Sequence, residues 1–117
     1  MVVAAKYVKL VCEKNTNFGF TVKYKLRDGT PIALSDAVLQ VRPTPGGALI
    51  VDMSVANGKL VIGGAGSNEI TGALTIAQTL ALPAGVYFYD LIADETVSTL
   101  QRRLIQGVFE ISANITI

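Results

Sequence analysis

Histidine and tryptophan are absent from this 117-residue sequence, and cysteine occurs once. Without histidine, the commonest general base and metal ligand is missing, and neither a Ser-His nor a Cys-His nucleophile can be built. A lone Cys12 makes neither an intrachain disulfide nor a cysteine-based zinc site, and it reads as a small buried hydrophobe of a strand. The lack of tryptophan removes the best aromatic stacking platform. Charge is also scarce. Charged residues make up 16% of the chain and hydrophobic ones 50%, whereas ordinary globular domains carry about 25% charged residues. No apolar run approaches the ~20 residues of a membrane helix, because Lys, Asp, Asn or Gly interrupts every candidate. The apolar excess must therefore be buried in a core, in an interface, or in both, which puts a freely dissolved monomer in doubt. One domain over residues 1–117 is the expectation at this length. Met1 to Lys6 lacks the charged start, long apolar stretch and cleavage site of a signal peptide, so synthesis is expected in the cytosol.

The net charge is +1, unevenly spread. Residues 1–42 carry seven basic and three acidic side chains, and the remaining 75 carry three basic and six acidic ones. Separate faces for the two halves would suit head-to-tail contact between copies, whereas strand alternation explains the lysines as solvated outer positions.

What is present is period two. Phe18, Phe20, Val22, Tyr24 and Leu26 alternate with Gly19, Thr21, Lys23, Lys25 and Arg27, the signature of a half-buried strand. Asp28-Gly29-Thr30-Pro31 turns the chain, and Ala37, Leu39 and Val41 mark the next strand, stopped by Pro43-Thr44-Pro45-Gly46-Gly47. Asn57-Gly58, between a strand through Leu49–Val55 and one at Lys59–Ile62, predicts a β-hairpin, since both turn positions favour positive φ. Gly63 to Asn68 reads as a hairpin loop. Ile70, Leu74 and Ile76 mark a strand leading into a short helical turn at residues 77–80. Leu82-Pro83-Ala84-Gly85 then launches Val86 to Ile92, which is apolar on both faces and so reads as a central, covered strand. Strands at residues 99–105 and 108–113, with a bulge at Gly107, and an N-terminal one at Tyr7–Cys12 bring the total to about eight. Together these predict an all-β fold, an antiparallel β-sandwich of immunoglobulin-like or jelly-roll-like form.

Motif-like strings are weak. Gly63-Gly64-Ala65-Gly66 lacks the Gly-Lys-Ser/Thr and the helix of a phosphate loop, and Asn114-Ile115-Thr116 matches a glycosylation acceptor by chance. Asp52 with Asp90 could in principle form a hydrolytic acid pair, although nothing in their spacing selects them. Arg102 and Arg103 point to opposite faces of a strand, so they cannot form one phosphate clamp, and one of them is a candidate subunit contact. No catalytic residue, cofactor site or metal site is expected, nor a nucleic-acid or membrane partner.

The series Gly29-Thr30-Pro31-Ile32, Val38-Leu39-Gln40-Val41-Arg42, Asn57-Gly58, Leu82-Pro83-Ala84-Gly85-Val86-Tyr87-Phe88-Tyr89-Asp90-Leu91 and Arg103-Leu104-Ile105-Gln106-Gly107 resembles small structural proteins of tailed bacteriophages. It is similar to the N-terminal β-sandwich of upper baseplate and tail-fibre-associated proteins, over Phe18 to Glu110. Two departures stand out: Phe18 and Phe20 occupy the region where that family often has tryptophan, and the 117 residues themselves contain no coiled coil or receptor-binding region. The resemblance implies a virion structural protein, made in the bacterial cytoplasm, whose partners are copies of itself and other virion proteins. It would act as a tail, baseplate or tail-fibre adaptor, with capsid decoration or a head fibre as the alternative. A small carbohydrate-binding module, using Tyr87 or Tyr89, is the reading from another class. Candidate subunit contacts are Val2, Val3, Ala4, Arg102, Arg103, Ile115 and Ile117, the apolar termini serving strand exchange or edge addition.

Overall fold

In a computed structural model of the chain, residues 6–25, 28–44, 46–96 and 101–113 are described. The strands are β1 (Lys6–Tyr7), β2 (Leu10–Glu13), β3 (Phe18–Lys23), β4 (Leu34–Arg42), β5 (Val51–Ser54), β6 (Leu60–Gly63), β7 (Glu69–Leu74), β8 (Gly85–Glu95) and β9 (Gln101–Ser112), with one short helix, α1 (Ile76–Leu80). They form two sheets. The larger runs β1-β9-β8-β4-β5, with β2 continuing the β1 edge on β9, and the smaller runs β3-β7-β6. Counting β1 and β2 as one broken edge strand gives eight positions. This order is immunoglobulin-like, a three-strand centre β9-β8-β4 with one further strand, β5, facing a second sheet β3-β7-β6. Among the described residues no helix is long and apolar enough to cross a membrane.

Alternation explains the sheets. In β3, Phe18 is buried and Phe20 and Val22 half-buried, while Gly19, Thr21 and Lys23 face outward. In β8, Tyr89, Leu91 and Ala93 enter the core, with the strand between β4 and β9 as its two-sided apolar character predicts. The sheets meet through Phe109, which is fully buried and stands edge-on to Phe18 at 5.4 Å and to Tyr89 at 6.1 Å. That aromatic group fills the middle of the sandwich where a chain with one cysteine has no bridge to place. Tyr87 starts β8 by donating its hydroxyl to the Pro83 carbonyl at 2.9 Å, a tyrosine corner. Thr75 caps α1 in a reciprocal capping box with Gln78, and the buried Thr79 ties the helix to the turn before β3 through Thr16.

Four expectations need correction. Asn57-Gly58 does not close a hairpin: β5 pairs with β4 in the larger sheet and β6 with β7 in the smaller, so this turn carries the chain across the sandwich. The Asn57 carboxamide organises it, accepting from the Ser54 and Lys59 amides at 3.0 Å, with Gly58 at φ +80°. Second, the pairing is not wholly antiparallel, because β1 and β2 both run parallel to β9. Third, β9 is continuous, and the register shift falls opposite Leu91/Ile92, where Leu104 is the extra residue, not at Gly107. Gly107 (φ +151°) instead makes room for the chain between β1 and β2: a Cβ there would lie 2.5 Å from the Val8 carbonyl oxygen. Fourth, Ile76 opens α1 and does not belong to a strand. The loop at 63–68 does close a hairpin, β6 to β7.

Candidate functional site

Cross-strand register fixes what the outer face of the larger sheet presents. Reading across β9, β8 and β4, Arg103, Ile92 and Val38 form one row, Gln106, Asp90 and Gln40 the next, and Val108, Phe88 and Arg42 a third. Tyr7 extends the middle row from β1, opposite Gln106. All of these but Val38 and Val108 line a trough of about 460 Å³, within the ordinary range for small-ligand sites. Of its three aromatic members, Tyr7 is exposed by 70% and Phe88 by 44%, while Tyr89 is buried. The strand read as covered on both sides is thus bare on its outer face in this chain.

The charged members are held by neighbours. Arg42 donates to the Gly47 carbonyl and to Gln40 Oε1, both at 2.8 Å, so its guanidinium is fixed along the floor. The Nε of Arg103 sits 3.4 Å from Asp90 Oδ2. Arg102 turns the other way, to Glu95 Oε2 at 3.2 Å, where the Tyr24 hydroxyl also donates at 3.0 Å. Burial, together with that hydrogen bond to Glu95, pushes the Tyr24 phenol above its ordinary value. The Tyr24–Glu95 hydrogen bond therefore ties the end of β3 to the larger sheet, Arg102 holds Glu95 from within that sheet, and of the two arginines Arg103 faces outward. The two arginines do point apart, as alternation requires.

Of the other expected contacts, Val2, Val3, Ala4, Ile115 and Ile117 lie outside the described residues, as does the Asn114-Ile115-Thr116 string. Tyr87 and Tyr89, proposed as sugar platforms, are committed inward: Tyr87 holds the corner before β8, and the buried Tyr89 donates its hydroxyl to the Val8 carbonyl at 2.6 Å. Desolvation pushes the Tyr89 phenol up to about 12. Asp52 and Asp90 flank Gln40 from β5 and β8, and Asp90 is engaged by Arg103. Among the described residues no group of three or more His, Cys, Asp or Glu side chains could hold a metal ion.

The uneven charge along the chain does not separate into two faces. Lys9 pairs with Glu110 at 3.1 Å and Lys23 with Glu69 at 3.8 Å, so basic side chains of the first part lie against acids of the second on neighbouring strands. Tyr7 and the trough escaped sequence reasoning. The signal that could have found them was Phe88, the middle of three consecutive aromatic residues on a central strand, which alternation turns outward when Tyr87 and Tyr89 point inward.

No family model matches the sequence, and no curated protein is similar to it. Among solved structures, the chain is similar to the extracellular domains of the voltage-gated sodium channel beta4 subunit, described as parallel homodimers that explain a role in cell-cell adhesion. The similarity has a TM-score of 0.46 at 9% identity and covers 98% of each chain.

Proposed function

We propose that this chain is a non-catalytic structural domain that acts by assembling with copies of itself. The carrying observation is an uncharged segment. Between Glu69 and Asp90 no residue bears a charge, and this stretch supplies the end of β7, α1 and the start of β8. There Ile76, Leu80 and Val86 are exposed by 47%, 53% and 62%. Scattered apolar residues are normal on any surface, but Ile76 and Leu80 lie one helical turn apart on α1, and an exposed apolar pair on an uncharged segment is what a contact surface requires. Covering it would also account for the scarcity of charge in the composition. The lack of histidine supports assembly over catalysis.

The setting we propose is the virion of a tailed bacteriophage, as a tail, baseplate or tail-fibre adaptor, with capsid decoration or a head fibre as the alternative position. Support for it comes from the resemblance of the Pro83-Ala84-Gly85 turn entering Tyr87-Phe88-Tyr89-Asp90-Leu91 and of the shorter segments around it. Sedimentation equilibrium tests the assembly reading. The chain should gain mass with concentration, and Ile76→Asp with Leu80→Asp should return it to a monomer with unchanged circular dichroism. A monomer at about millimolar concentration, where even weak contacts form, would overturn it. Mass spectrometry of purified particles tests the setting, and particles lacking the chain would count against a virion role alone.

A further inference from the structure

The geometry points to the trough on the larger sheet as a binding site for an acidic saccharide, one or two sugar rings bearing a carboxylate. The inference does not rest on assembly through α1. Charge comes first. Arg42, Arg103 and Asp90 are the charged side chains lining the trough, so its local balance is positive and favours an anion. Arg103 engages Asp90 through Nε, which leaves its two Nη groups as a planar fork on a side chain that is half exposed. A fork of that shape matches a carboxylate with two parallel hydrogen bonds, and the Asp90 contact holds it in place.

The remaining lining suits a sugar ring better than a protein surface. Phe88 and Tyr7 offer flat apolar faces to ring C–H groups. Gln40, Gln106 and Thr44 also line the trough, and a carboxamide presents donor and acceptor side by side, as adjacent hydroxyls demand. The centre of a protein-protein contact is depleted of charge, whereas here Asp90 stands in the middle row and Arg103 reaches it from the next. A sugar acid meets that pair with hydroxyls and a carboxylate, so no buried charge is left without a partner.

Titration of galacturonate trisaccharide into the 15N-labelled chain is the test. Saturable shifts are expected at the amides of Gly46 and Gly107, which line the trough. Neutral galactose trisaccharide should bind about tenfold or more weakly, the value of one charge-assisted contact, and Arg103→Gln should lose the preference for the acid. Arg103→Lys, which keeps the charge without the fork, should fall between them. The Ile76→Asp, Leu80→Asp chain should bind as the parent does, which separates this site from the assembly surface. Absence of saturable shifts, equal binding of the neutral sugar, an unaltered preference in Arg103→Gln, or the same response to acetate alone would each overturn the proposal.

Discussion

The larger sheet is built on two strands of 11 and 12 residues, whereas no strand of the smaller sheet exceeds six. Both bury the same kind of inward face. Their outward faces differ. On the smaller sheet, Gly19, Thr21 and Ala73 are small, Thr21 lies against Thr71, Lys23 is paired with Glu69, and Val61 is the exposed large apolar side chain among the described residues. On the larger one, Phe88 and Val86 stand exposed beside a charged trough. Sheet length alone does not require that contrast, since outward positions contribute little to folding. It is the difference between a face that closes the sandwich and a face free to meet something else.

Removing the ring that joins the two sheets should break the comparison most severely. Phe109→Ala takes away the contacts to both Phe18 and Tyr89, and a buried aromatic truncation costs about 3–5 kcal/mol. Urea unfolding should show that loss with one transition for both sheets. Next is Gly107→Ala. Its positive φ alone costs about 1–3 kcal/mol in a residue with a Cβ, and the added atom meets the Val8 carbonyl. Hydrogen exchange should show the edge formed by β1 and β2 losing protection while the smaller sheet keeps its own.

A third, smaller effect separates the sheets by pH. The Tyr89 phenol titrates near 12 in the fold, against about 10 unfolded. A raised value stabilises the fold fully below pH 10, and that contribution fades as pH rises from about 10 to 12. Stability curves of Tyr89→Phe should therefore be flatter over that window than those of the parent, with about 1 kcal/mol lost at neutral pH for the missing bond to Val8. Last, Lys23→Met breaks the ion pair on the outer face of the smaller sheet and should move stability by about 0.5 kcal/mol or less, since an exposed pair is worth little. A larger change would mean that this face matters more than its geometry indicates.

Strand positions were legible because alternation is written in each segment by itself. The alternation from Phe18, that from Ala37 to Arg42 and the run Val86 to Ile92 each fall on a strand, although β3 stops at Lys23, β4 starts earlier at Leu34 and β8 extends to Glu95. Pairing was less so. Asn57-Gly58 specifies a tight turn locally, yet whether the strands on either side face each other depends on β4 and β7, which compete for them from opposite sheets. The parallel docking of β1 and β2 depends likewise on a distant glycine and on the Tyr89 hydroxyl. The opposed directions of Arg102 and Arg103 were readable from period two, but their acidic partners, Glu95 and Asp90, come from another strand. The trough needs three strands in register with β1, and no stretch of sequence contains that information.

Cys12 gives the parallel edge a built-in clock. It is the chain's one thiol, it is fully buried in β2 opposite Ile111, and burial pushes it up, away from the reactive thiolate form. A disulfide reagent can reach it only when that strand lifts from β9. The rate of labelling then counts the openings of this edge, the event that would have to precede any exchange of the first strand between neighbouring copies.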